Sequence, residues 1–81
     1  MTPEELLAVA TPKQQLILED IRLHPYDSNE AIGKRLGMER RTIDAQLHLY
    51  YKRVPELVAV SSRARRSVLA DWLRGYNQEN Q

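Results

Sequence analysis

The sequence predicts an all-α protein, a helix-turn-helix bundle of four main helices with a short helix ahead of them. Three observations predict it. Apolar residues recur at helical spacing, and no stretch alternates with the period of a strand. Thr2-Pro3, Thr11-Pro12 and Ser28 are helix starts, with a capping oxygen and, in the first two, proline at the first helical position. Gly37 and Gly75 stand just past periodic stretches, where a left-handed cap ends a helix.

The elements follow in order. Residues 1–10 hold the short helix. Glu4 and Glu5 suit its positive end, and Leu6, Leu7 and Val9 form its apolar side. The main domain spans residues 11–75. Its first helix runs from about Pro12 to Leu23, burying Ile17, Leu18 and Ile21, and ends at His24-Pro25 because proline disfavours the α region before it. Pro25-Tyr26-Asp27 is a turn. Ser28 caps the next helix, which points Ala31, Ile32 and Leu36 inward and stops at Gly37. A second helix of this pair runs from about Arg40 to Arg53, and Pro55 limits it. Residues 54–60 are an apolar connection that fits either a helical turn or an extended loop. Ser61 or Ser62 caps the last helix, residues 61–74, and residues 76–81 form a polar tail.

With 81 residues the chain makes one domain. A chain of this size buries only about 60% of the surface it exposes unfolded. It contains no cysteine, which excludes a disulfide and a thiolate metal site. No apolar run approaches a membrane span, and the N-terminus is acidic, unlike a secretory leader. Catalysis is not expected. His24 sits beside a proline and His48 on the basic helix, with no Gly-rich phosphate loop or carboxylate cluster beside them. No cofactor or metal is expected either.

The net charge of +1 hides a segregation. Across residues 1–33 the net charge is −4, across 34–66 it is +6, and the rest carries −1. A basic segment of this kind suits a polyanion, although it is also what a solvated surface looks like.

The helix from Arg40 sharpens the choice. At 100° per residue, Ile43, Leu47, Tyr50 and Val54 share one apolar stripe, the core side. Arg41, Ala45, His48 and Lys52 share the opposite stripe, basic at both ends and small or polar between. Such a face fits the major groove of double-stranded DNA, with cations meeting phosphates on either bank. Arg40, Arg41, Asp44, Ala45 and His48 are the base-facing candidates. Arg40 and Arg41 occupy the first turn, where such helices reach the bases. Asp44 either accepts from a cytosine or pairs with Arg40 or His48. Candidates for the phosphates are Ser28, Asn29, Lys34, Arg35, Thr42, Lys52, Arg53, Arg63, Arg65 and Arg66. Leu49 has no assigned role.

The segments T-P-K-Q-Q-L, S-N-E-A-I-G-K-R-L-G, T-I-D-A-Q-L-H-L and S-R-A-R-R resemble the LuxR-type (GerE-type) helix-turn-helix domain of bacterial transcription factors. The resemblance covers about Thr11 to Leu73. It implies a four-helix domain that binds duplex DNA, usually as a dimer through its last helix, in the bacterial cytoplasm. The chain departs from the pattern at Glu39, where a Ser or Thr cap is usual, at Asp44, Ala45 and His48, which are less basic than the usual set, and in the longer loop at residues 54–60. Region 4 of bacterial sigma factors shares the motif.

Val68, Leu69, Trp72, Leu73 and Tyr76 are the candidates for a homodimer seam, with Trp72 alternatively closing the domain's own core. Three functions fit: a DNA-binding transcriptional regulator, the DNA-recognition subunit of a phage packaging machine, and an adaptor that binds RNA polymerase or another regulator. The T-P-K-Q start is similar to that of small terminase subunits.

Overall fold

In the computed structural model, which describes residues 1–75, the chain forms six helices and, among the described residues, no strand. They are α1 (Pro3–Ala8), α2 (Pro12–Leu23), α3 (Asn29–Leu36), α4 (Arg40–Tyr51), α5 (Pro55–Val58) and α6 (Arg65–Leu73). The tail at 76–81, with the dimer candidate Tyr76, lies outside the described residues.

Local chemistry sets the helix ends. Thr2 with Glu5, and Thr11 with Gln14, form reciprocal capping boxes at α1 and α2. Ser28 Oγ accepts from the Ala31 N–H at 3.2 Å and starts α3. Gly37 ends it with φ 71°, and the N–H of Met38 returns to the Gly33 carbonyl at 2.8 Å. Glu39 stands at the N-cap of α4 with no side-chain cap hydrogen bond, while its carbonyl accepts from the N–H groups of Thr42 and Ile43.

The connection at residues 54–60 is helical at its centre, as α5. It displaces the start of α6. The expected caps Ser61 and Ser62 lie in the turn before the helix, and Ala64 stands at its N-cap. Arg65 accounts for the shift. Its guanidinium donates to the carbonyls of Leu57 (2.9 Å), Val58 (2.9 Å) and Val60 (3.0 Å), closing the open end of α5. Residues 59–64 are thereby committed to the corner.

One core joins all six helices. Leu6 enters from α1, Ile17, Leu18 and Ile21 from α2, Ile32 from α3, and Ile43, Leu47 and Tyr50 from α4. Val54, Leu57, Leu69, Ala70 and Leu73 complete it. The stripe Ile43, Leu47, Tyr50 and Val54 therefore faces inward, as its spacing predicts. Tyr50 is fully buried and its hydroxyl donates to the Leu6 carbonyl at 2.8 Å, tying α1 to α4. Burial raises the Tyr50 phenol well above its ordinary range.

Two dimer candidates need correction. Leu69 is 0% exposed and Leu73 1%, so both are spent on the domain's own core. Val68 and Trp72 pack on its edge, half-buried. A small domain has little apolar area to spare, and α6 contributes its apolar side chains inward. No helix among the described residues is long and apolar enough to cross a membrane.

Candidate nucleic-acid interface

Helices α3 and α4 pack on one another across the short turn at Gly37–Glu39. The approach is close enough that Gly33 faces the turn directly: a Cβ at this position would collide with the Met38 carbonyl oxygen. This contact holds α4 against α3 with its outer face turned to solvent.

That outer face is the one its periodicity predicts. Arg40, Arg41, Asp44, Ala45, His48 and Lys52 are all exposed, opposite the four buried residues. Arg41 is wide open, with its side chain 88% accessible and Glu39 3.3 Å away. The small Ala45 leaves the centre of the face low. Leu49 is also exposed, on the flank of the face.

Asp44 is held rather than free. Its Oδ1 accepts from Asn29 Nδ2 at 2.7 Å, across 15 residues of chain. Its Oδ2 lies 3.8 Å from Arg40 Nε. The pairing with Arg40 thus forms, and among the described residues no ion pair joins Asp44 to His48. Asn29 is held in turn, since Arg66 Nε donates to its Oδ1 at 3.4 Å. These residues border a shallow cleft of about 310 Å³ between α3, α4 and α6, which Ser62, His48 and Tyr51 also line. Burial raises the Tyr51 phenol, against the opposing pull of Arg66 and Arg65.

The ten phosphate candidates divide. Lys34, Lys52 and Arg63 are exposed cations, Lys52 directly at the end of α4. Lys34 lies 3.7 Å from Glu30, both side chains being well exposed, and a pair of this kind is weak. Ser28 and Asn29 stand at the start of α3, and Thr42 is half-buried in the first turn of α4.

Four arginines are engaged elsewhere, which corrects their assignment. Arg35 donates to Asp20 through Nε and Nη2 and to Asp27 through Nη1 at 2.8 Å, bridging α2, α3 and the turn between them. These carboxylates raise its pKa further, Asp20 most strongly. Arg53 reaches the Val9 carbonyl at 3.3 Å, on the α1 side. Arg65 closes α5. Arg66 is half-buried, and burial lowers its pKa; besides Asn29 it donates to the Asp27 carbonyl at 3.1 Å. Its Nη1 is buried with no hydrogen-bond partner among the described residues. Arg53 makes a single such bond, and the other three share one physical reason. A long guanidinium next to unpaired carbonyls or carboxylates closes several hydrogen bonds at once, and a charge count along the chain cannot reveal that.

Two residues make contacts that the charge pattern does not signal. Asn29, a phosphate candidate by position, turns its amide to Asp44 instead; nothing in the local sequence signals a contact 15 residues away. Gln14 is buried at 3% exposure, closing the box with Thr11 and lying 3.4 Å from Gln46 Oε1. Its signal was present, as the Thr-x-x-Gln pattern that begins a helix.

Among the described residues no group of three or more His, Cys, Asp or Glu is placed to hold a metal. Compared with protein-family models, curated proteins and solved structures, the chain matches none.

Proposed function

We propose that this protein is a sequence-specific double-stranded DNA-binding transcriptional regulator that sets α4 into the major groove. One observation carries the reading: the exposed stripe Arg41, Ala45, His48 and Lys52 lies opposite the buried stripe Ile43, Leu47, Tyr50 and Val54 on a helix packed in a helix-turn-helix pair. Cations at both ends of a low centre suit a groove with phosphates on either bank. The resemblance to LuxR-type domains supports the same reading. Two copies on a two-fold operator belong to it, through a seam other than Leu69 and Leu73.

The test compares binding to genomic duplex fragments at two salt concentrations. Lys52→Ala should weaken binding and flatten the slope of log affinity against log salt by about 0.9, the value of one lost phosphate contact. Arg40→Ala and Arg41→Ala should weaken binding as well. Arg35→Gln should leave the slope unchanged while lowering the melting temperature, because Arg35 serves the fold. If none of the three α4 variants weakens binding, the assignment of this face is wrong. Sedimentation equilibrium tests the second copy: a monomer at micromolar protein, with and without DNA, overturns that part. Indifference to Arg41→Ala with capture of RNA polymerase supports the adaptor reading, and ordered higher oligomers support packaging.

A further inference from the structure

A carboxylate on the flank of a face meant for a polyanion is a cost unless something in the groove donates to it. Asp44 occupies that place, about half exposed, and it is not left to swing. Arg66, itself half-buried, fixes the oxygen of the Asn29 amide, so the amide nitrogen must turn towards Asp44. Asn29 then holds Oδ1, and Oδ2 lies beside Arg40 on a side chain that is about half exposed.

The result is an acceptor and a donor side by side, one turn apart on α4, with Asp44 held in place. In the major groove a G·C pair shows the matching order. Guanine presents O6 and N7 as acceptors and cytosine presents its N4 amine as donor. O6 and N4 are hydrogen-bonded to one another, about 2.9 Å apart. The other pairings fit less well: the amine of an A·T pair is paired with a thymine O4 beside a methyl group, and adenine offers N7 but no O6 to a guanidinium.

Resting on the DNA-binding reading above, we propose that Arg40 and Asp44 together read one G·C pair, Arg40 on guanine and Asp44 on the cytosine amine, with Asn29 as the positioning residue for Asp44. The carboxylate then acts against the wrong pairs, since it repels the acceptor atoms that guanine or thymine would place opposite it. Asp44 therefore costs general affinity and returns specificity.

The experiment is selection of bound duplexes from a random library, with wild type, Asp44→Asn, Asp44→Ala and Asn29→Ala run in parallel and circular dichroism confirming that each is folded. Wild type should enrich one G·C position that Asp44→Asn converts to A·T, because an asparagine amide pairs with adenine N6 and N7. The preference at that position should change by roughly tenfold while other positions hold. Asp44→Ala should lose the preference there and bind non-specific duplex more tightly. Asn29→Ala should blur the same position and no other, which a merely structural role would not do. If wild type enriches a site and Asp44→Asn selects the same bases throughout, the inference fails and the DNA-binding reading stands. If Asp44 behaves as expected and Asn29→Ala changes nothing, the positioning role fails. If wild type enriches no duplex at all, both fail together.

Discussion

Gly33→Ala should destabilise this protein, although alanine is the better helix former. Gly33 lies within α3, one turn before the Gly37 cap. A helix-interior glycine costs roughly 0.5–1 kcal/mol against alanine, so propensity alone favours the change. Packing opposes it. The new methyl would be driven into the Met38 carbonyl oxygen, a backbone atom that cannot rotate away, and the carbonyl carbons of Met38 and Glu39 stand close behind it. The turn is itself pinned by the Met38 N–H on the Gly33 carbonyl. Forcing an extra methyl into a packed site costs about 1–3 kcal/mol. Subtracting the propensity gain leaves a net loss centred near about 1 kcal/mol, which for a domain of this size lowers Tm by roughly 4–8 °C. Thermal and urea unfolding followed by circular dichroism at 222 nm measure it. Gly37→Ala is the contrasting variant. Nothing lies within 4 Å of the position of its Cβ, and its cost arises only from the left-handed φ of 71°, about 1–2 kcal/mol. DNA binding separates the two further. Relief of the Gly33 clash requires α4 to shift against α3, so Gly33→Ala should also lose affinity beyond what its stability explains. A Gly33→Ala variant as stable as wild type would refute the close approach on which this rests.

Other substitutions probe the rest of the fold. Tyr50→Phe removes the hydroxyl that donates to the Leu6 carbonyl and leaves that acceptor buried, which should cost about 1–2 kcal/mol in urea unfolding. Leu69→Ala should cost about 2–5 kcal/mol at any protein concentration; a loss that vanishes on dilution would instead mark Leu69 as a residue of a dimer seam. The backbone N–H and hydroxyl of Thr2 hold the Glu5 carboxyl below its ordinary value of 4.5. A lowered folded pKa gives stability that is full above that value and is lost as pH falls through the folded one. The advantage of wild type over Glu5→Gln should therefore be constant from pH 7 to about 5.5 and shrink below about pH 4.5, followed by thermal melts across that range.

Much of the fold was legible in the residues because it rests on local rules. Thr2, Thr11 and Ser28 cap the helices they precede, since a hydroxyl oxygen three residues ahead of an unpaired N–H needs no tertiary partner. Gly37 adopts the left-handed conformation that ends α3. The two faces of α4 follow from its 100° periodicity, and the burial of Ile43, Leu47, Tyr50 and Val54 bears that out. The start of α6 was not legible in the same way, because serine capping is a local preference and the Arg65 bonds to α5 outweigh it.

What the sequence by itself determined, then, is the set of helices, their ends within a few residues, and the face of α4 that turns outward. Only the tertiary structure decided how the charges are used. Arg35, Arg53, Arg65 and Arg66 count as cations in the basic segment, yet each is spent on a carbonyl or carboxylate brought near it by packing. Asp44 looks misplaced along the chain and becomes an oriented acceptor once Asn29 and Arg66 stand behind it. Periodicity and capping act over three or four residues and can be read from the chain. The partner of a long polar side chain is whichever group the fold places at its tip, and here that group is often 15 to 44 residues away.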